Sequence, residues 1–138
     1  MTPVLDLSGR KVLVVGLARS GVAAARLCAA RGARVSVTDR RAATELAGPV
    51  RELSSAGVSF ALGGHDERDF TSADLLVVSP GVPLSLPEVA EARRQGVPVM
   101  GEVELGWRFM EPAPLVAITG TNGKSTTTAL CGTLVQQD

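Results

Sequence analysis

Eight residues late in the chain carry the plainest chemistry. Val116-Ala117-Ile118 runs apolar into Thr119-Gly120-Thr121-Asn122-Gly123-Lys124-Ser125-Thr126, a pattern that reads as strand, glycine-rich turn and helix. That order aims backbone N–H groups and the positive end of a helix dipole at one spot, where a nucleotide phosphate can sit. Gly120 and Gly123 let the backbone come close, with Thr121 and Asn122 spanning the turn between them. Lys124 adds a compact charge for the terminal phosphates, and Ser125, with Thr126 beside it, offers a hydroxyl to the Mg²⁺ that travels with ATP. Of 14 basic residues only Lys11 and Lys124 are lysines, so a chain that otherwise uses arginine places a lysine here. The common G-x-x-x-x-G-K-[ST] form wants a glycine where Ile118 stands, which implies a shorter loop variant. A helix N-terminus capped by Gly and Thr is the bland alternative.

Positioning such a loop requires a folded core, and the composition supplies one. The chain has 138 residues, 45% of them hydrophobic and 20% charged, within the range of ordinary globular domains. Fourteen acids balance 14 bases, which argues against a nucleic-acid or membrane-surface partner drawn by bulk electrostatics. Cys28 and Cys131 lack metal-type spacing and are expected as buried free thiols in helices, consistent with a reducing compartment. Residues 1–10 contain Asp6 and no cationic segment leading into a long apolar run, and no apolar run approaches ~18 residues. A cytoplasmic location without membrane insertion is the expectation.

Along the chain, β and α patterns alternate. Val12-Leu13-Val14-Val15 is a continuous apolar run closed by Gly16, as in a buried parallel strand. A helix over 20–31 ends at Gly32. Residues 34–38 read as a second strand, 44–56 as a helix, 58–62 as a third strand and 74–79 as a fourth. Ser85 and Glu88 have capping-box spacing for a helix through Arg94, stopped by Gly96. Residues 97–100 suggest a fifth strand, and Val103, Trp107 and Met110 share a helical face before Pro112 and Pro114. This succession predicts an α/β fold, a Rossmann-like parallel sheet with flanking helices over residues 1–112. Residues 113–138 would then begin a second, incomplete unit, too short to bury a core alone.

Ligands of open parallel sheets sit outside the C-terminal strand ends, where three clusters fall. Gly16-Leu17-Ala18-Arg19-Ser20-Gly21 resembles the dinucleotide turn G-x-G-x-x-G, with Ala18 in place of the middle glycine, which weakens an NAD reading. Asp39 lies near the spacing at which an acid reaches a ribose hydroxyl, although a solvated turn explains it equally well. Arg40 and Arg41 would serve a pyrophosphate with their planar forks of donors. Ser79-Pro80-Gly81-Val82 ends a central strand. His65, after Gly63-Gly64, reads as a loop residue. Glu102 and Glu104 face different ways on a helix and read as its exposed start rather than an acid/base pair.

Taken together, residues 16–21, Thr38-Asp39-Arg40, Ser79-Pro80-Gly81-Val82, Gly101-Glu102-Val103-Glu104-Leu105 and the loop over 117–126 resemble the Mur ligase family, over nearly the whole chain. The phosphate loop by itself is shared with folylpolyglutamate synthetases, whereas the earlier segments are similar to the D-glutamate-adding branch. The resemblance implies that the first domain holds the UDP moiety of UDP-N-acetylmuramoyl-L-alanine, with Arg19, Ser20, Asp39, Arg40, Arg41 and Gly81 matching positions that line that site. It implies ATP and Mg²⁺ at residues 120–126, Lys124, Ser125 and Thr126 acting in catalysis and Ser125 at the Mg²⁺. The implied reaction is ATP-dependent amide formation of peptidoglycan precursor synthesis, in which an acyl phosphate is attacked by the amine of D-glutamate. The remaining machinery is expected outside these 138 residues, so the polypeptide alone is expected to be inactive. An NAD-linked oxidoreductase or nucleotide-sensing module is the alternative, and a sibling ligase for another amino acid stays open.

Overall fold

A computed structural model of the chain describes residues 5–112 and 114–136. The segment limits placed above at 1, 113 and 138 lie outside the described residues. Five parallel strands form one sheet in the order β3-β2-β1-β4-β5. They are β1 (Lys11–Val15), β2 (Arg34–Asp39), β3 (Ser59–Leu62), β4 (Leu75–Val78) and β5 (Val99–Gly101). The α/β expectation is met.

After Lys11, β1 is apolar, and β4 is apolar throughout, because both sheet faces are covered. In register, Val12 lies beside Val35 and Leu75, and Val14 beside Val37 and Val77. Alternation along the strands then sends these side chains to one core and Leu13, Val15, Leu76 and Val78 to the other. The first core is closed by α1 (Arg19–Ala30), α2 (Ala47–Leu53) and Leu105 of α5 (Glu102–Phe109). The second is closed by Phe70 of α3 (Glu67–Thr71) and by Val89 and Ala92 of α4 (Pro87–Arg94). Burying each such Val, Leu or Phe contributes about 1.5–3 kcal/mol, so the two cores hold the sheet from both faces.

Several boundaries differ from expectation, each for a local reason. The helix expected over 44–56 starts at Ala47 and ends in a 3₁₀ turn, Ser54–Ala56. Pro49 decides this, because a start at 44 would put it in the helix interior, where its missing N–H breaks the hydrogen-bond ladder. The capping box at Ser85 does not form. Pro87 occupies N1, and Leu86 is the extended N-cap with ψ 127°, since a residue before proline is driven out of the helical region. Helix α3 was not foreseen. Its signal is Asp66, whose side chain accepts the Arg68 N–H, followed by acidic Glu67 and Asp69 in the first turn.

The largest difference concerns the late loop. Residues 116–118 form no strand, because a strand exists through its ladder and none of the five described strands pairs with them. The turn and the helix after it are present, as α6 (Lys124–Val135), which buries none of its residues. Cys131 on α6 is accordingly half-exposed, against the expectation of a buried thiol, whereas Cys28 of α1 is buried as expected.

Candidate functional site

The strand order reverses at β1. From there the chain winds outward through β2 and β3, then returns on the other side as β4 and β5. The loops after β1 and β4 therefore part at their C-terminal ends and leave a crevice, the place where open parallel sheets take ligands. A cleft of about 500 Å³ lies there, lined by Gly16, Leu17, Ala18 and Ser20, by Asp39, Arg40 and Arg41, by His65, and by residues from Ser79 to Pro83 with Leu86. Its size suits a nucleotide-scale ligand.

Tight backbone packing shapes the first wall. Gly16 has φ 96°, and a Cβ there would meet Ser79 Cβ at 3.0 Å. A Cβ on Gly21 would stand 2.1 Å from the Gly16 carbonyl oxygen, so the turn folds directly onto α1 only because both residues are glycine. No side chain caps α1 at Ala18. The first-turn N–H groups of the helix are thus left for an anion, with the dipole behind them.

Asp39 holds the second wall. Asp39 is 6% exposed, and its carboxylate accepts the Leu17 N–H at 2.8 Å, the Arg41 N–H at 2.9 Å, and Arg41 Nε and Nη2 at 3.1 and 2.8 Å. Burial pushes its pKa up, but the Arg41 side chain, the Arg41 N–H, the Leu17 N–H and the Arg41 charge outweigh it and bring the pKa down to about 2. Four bonds occupy the acceptor capacity of a carboxylate. Asp39 is therefore spent on holding the β1 turn and aiming Arg41. Arg40 lines the cleft without an ion-pair partner among the described residues.

Two side chains expected as a plain loop residue and an exposed helix start make further contacts here. His65 lines the cleft, with Nδ1 2.8 Å from Thr38 Oγ1 and its ring edge-on to Phe70 at 5.5 Å. Glu102 is half-buried rather than an exposed helix start and accepts a 2.6 Å hydrogen bond from Ser79 Oγ. Glu104 does face solvent, paired with Arg108 at 2.8 Å. The spacing of His65 after two glycines and of Glu102 after Gly101 carries no signal for either partner, because both contacts join segments that follow or belong to neighbouring strands far apart in sequence.

Of the six positions expected around this cleft, Ser20, Asp39, Arg40, Arg41 and Gly81 line it. Arg19 lines an adjoining cavity between α1 and α2, together with Arg26, Arg41, Glu45 and Glu52.

The late loop is separate and exposed over residues 119–130. Gly123, φ 77°, is the N-cap of α6, again with no side-chain cap, and Lys124 Nζ donates to the Gly120 carbonyl at 2.6 Å. Open first-turn amides, an ammonium folded over the loop and the hydroxyls of Ser125 and Thr126 are a donor set that fits a polyphosphate. No group of three His, Cys, Asp or Glu able to hold a metal exists among the described residues. No described helix is long and apolar enough to cross a membrane.

Residues 10–101 match the family described as Mur ligase MurD-like, N-terminal domain. The chain is 64% identical over 130 residues to the UDP-N-acetylmuramoylalanine--D-glutamate ligase of Anaeromyxobacter dehalogenans, covering 94% of this chain and 28% of that protein. It is 56% identical over 128 residues to the ligase of the same name from Geobacter metallireducens, covering 93% and 28%. Among solved structures, a pseudomurein peptide ligase type C from Methanothermus fervidus superposes with a TM-score of 0.63 at 29% identity, over 86% of this chain and 24% of that one. The UDP-N-acetylmuramate:L-alanyl-gamma-D-glutamyl-meso-diaminopimelate ligase of Neisseria meningitides, TM-score 0.55 at 19% identity over 69% of this chain and 29% of that one, shares the fold. The chain thus spans less than a third of the length of the curated relatives it matches. With a parallel sheet, a glycine-tightened first turn and a match over residues 10–101, the chain belongs to the MurD-like branch of the Mur ligase family, of which it contains the N-terminal domain.

Proposed function

We propose that the cleft at the β1/β4 crevice binds the UDP moiety of UDP-N-acetylmuramoyl-L-alanine. The parent activity would be an ATP-dependent amide ligase that adds D-glutamate to it in peptidoglycan precursor synthesis, in the cytoplasm. The observation that carries the reading is the uncapped α1 N-terminus with Arg40 and Arg41 lining the same cleft. Open amides and two guanidinium groups are suited to a diphosphate, and the names of the relatives point to the same substrate.

In this proposal the roles divide by position. The first-turn amides of α1, with Ser20, hold the diphosphate, and the Gly81 backbone closes the opposite wall. Arg40 and Arg41 neutralise charge, Asp39 orients Arg41, and Arg19 adds a rim charge from the adjoining cavity. Residues 1–112 form this unit. Residues 113–138 belong to the ATP region, where the amides of residues 120–124, the Lys124 ammonium and the hydroxyls of Ser125 and Thr126 would hold Mg-ATP, Ser125 facing the metal. When bound, ATP would supply the phosphoryl group that makes the L-alanyl carboxylate electrophilic as an acyl phosphate. Lys124 would neutralise charge as that group moves.

The 138-residue polypeptide by itself is proposed to bind without ligating. A thermal-shift comparison of UDP-N-acetylmuramoyl-L-alanine, NADH and Mg-ATP tests the cleft assignment. Stabilisation is expected from the first and little from the others, and stabilisation by NADH alone would move the cleft to an oxidoreductase or sensor role. Phosphate release that depends on D-glutamate, from the pure polypeptide, would overturn the claim of inactivity.

A further inference from the structure

We propose that His65 reads the nucleobase in the cleft, its Nε2 lone pair accepting the imide N–H of uracil. This rests on the reading of the cleft as a UDP site and adds a residue that selects the base.

The tautomer follows from proton counting. Thr38 Oγ1 lies 3.2 Å from the Gly64 carbonyl and 2.8 Å from His65 Nδ1. The hydroxyl has one proton, and a carbonyl can only accept. Both contacts are satisfied when Thr38 donates to Gly64 and His65 donates from Nδ1 to Thr38. Nε2 is then the unprotonated nitrogen. It has no hydrogen-bond partner among the described residues, yet it is not among their buried unpartnered atoms, of which Glu88 Oε2 is the one found. Nε2 therefore reaches solvent, and His65 lines the cleft.

The ring is also biased toward its neutral form. Burial lowers its pKa, the Glu88 charge raises it, Arg40 lowers it and Asp39 raises it, with a net downward direction. A neutral acceptor is unsuited to phosphate and suited to an N–H donor.

Elimination points to the same group. Asp39, the one carboxylate lining the cleft, already accepts four hydrogen bonds. Ser20 stands in the first turn of α1, where the diphosphate goes, and Ser79, 5% exposed, has its hydroxyl packed between the Glu102 carboxylate and the Gly16 carbonyl. Val82, Pro83 and Leu86 give the cleft apolar surface for the faces of a flat base. Uracil brings one imide N–H, for which His65 Nε2 is the uncommitted side-chain acceptor in the cleft.

The test is calorimetric titration of the 138-residue chain, and of its His65→Leu variant, with UDP and with 3-methyl-UDP. The wild type should bind UDP roughly tenfold or more tightly than the methylated analogue, because a site built around a donor rejects a ligand lacking it. The leucine variant should bind the two nearly equally. UDP binding without that preference, or a preference that persists in the variant, overturns the role of His65 and leaves the UDP site standing. Absence of UDP binding overturns both. Should the variant fail to fold, nitrogen NMR of the wild-type imidazole decides, since UDP must move the Nε2 resonance while Nδ1 stays protonated. An unmoved Nε2 signal in the UDP-saturated protein overturns the proposal.

Discussion

Ser79 Oγ donates a 2.6 Å hydrogen bond to the Glu102 carboxylate, joining the end of β4 to the first residue of α5. Ser79 is 5% exposed, and its hydroxyl also lies 3.2 Å from the Gly16 carbonyl. One side chain thus sits among three strand ends, β1, β4 and β5, that frame the cleft. Hydrogen bonds to charged groups contribute about 1.5–3 kcal/mol when well shielded, and Glu102 is only half-buried.

Removing either partner should therefore cost about 1–2 kcal/mol. Ser79→Ala and Glu102→Ala are expected to be sub-additive in urea unfolding, the double variant losing little more than either single one. Strict additivity would show that the pair is not coupled.

Gly21→Ala sets helix propensity against packing. Alanine favours a helix interior by about 1 kcal/mol over glycine. Here, however, the new methyl would lie 2.1 Å from the Gly16 carbonyl oxygen, and backbone cannot yield as a flexible side chain does. The clash should win, with a net loss above about 2 kcal/mol and weakened UDP binding from the displaced turn. A variant as stable as the parent in urea would mean that α1 slides without cost.

Asp39 makes stability depend on acid pH. Its folded-state pKa is about 2, below the ordinary 3.8, so its contribution is fully present above the unfolded value and is lost as pH falls from about 4 to about 2. With solvent screening discounted, the contribution is on the order of 1 kcal/mol. Unfolding free energies of the parent and of Asp39→Asn should differ at pH 6 and converge toward pH 2. A difference that grows on acidification would contradict the sign.

The sheet was legible because Val12 to Val15 and Leu75 to Val78 are unbroken apolar runs, and only a strand covered on both faces uses that pattern. The clusters at the strand ends were legible for the same reason, since parallel strands deliver their following loops to one edge. His65 and Glu102 were not. Their contacts span 27 and 23 residues of sequence, and each is set by which strands pair, β2 with β3 and β4 with β5, rather than by local spacing. The unformed strand at 116–118 shows the opposite limit. Residues of the right type do not pair without a neighbour.

The two thiols should separate by reactivity. Burial pushes the Cys28 pKa up to about 11, so almost none of it is thiolate at pH 8, and it is fully shielded. Cys131 is half-exposed on α6. Brief treatment of the native chain with iodoacetamide should alkylate Cys131 and spare Cys28 until denaturant is added, as peptide mass spectrometry would show. Equal labelling of both would indicate that α1 opens readily.

Lys124 offers a test of independence between the two phosphate loops. Among the described residues its ammonium bonds only to the Gly120 carbonyl, within its own exposed loop, and α6 buries no residue against the sheet. Substitutions at such surface positions usually change stability by less than about 0.5 kcal/mol. Lys124→Ala should therefore leave both the urea midpoint and UDP affinity of this chain unchanged, whereas Arg40→Ala should weaken UDP binding at similar stability. Loss of UDP affinity on removing the Lys124 charge would place the late loop against the cleft, so that one nucleotide is shared between them.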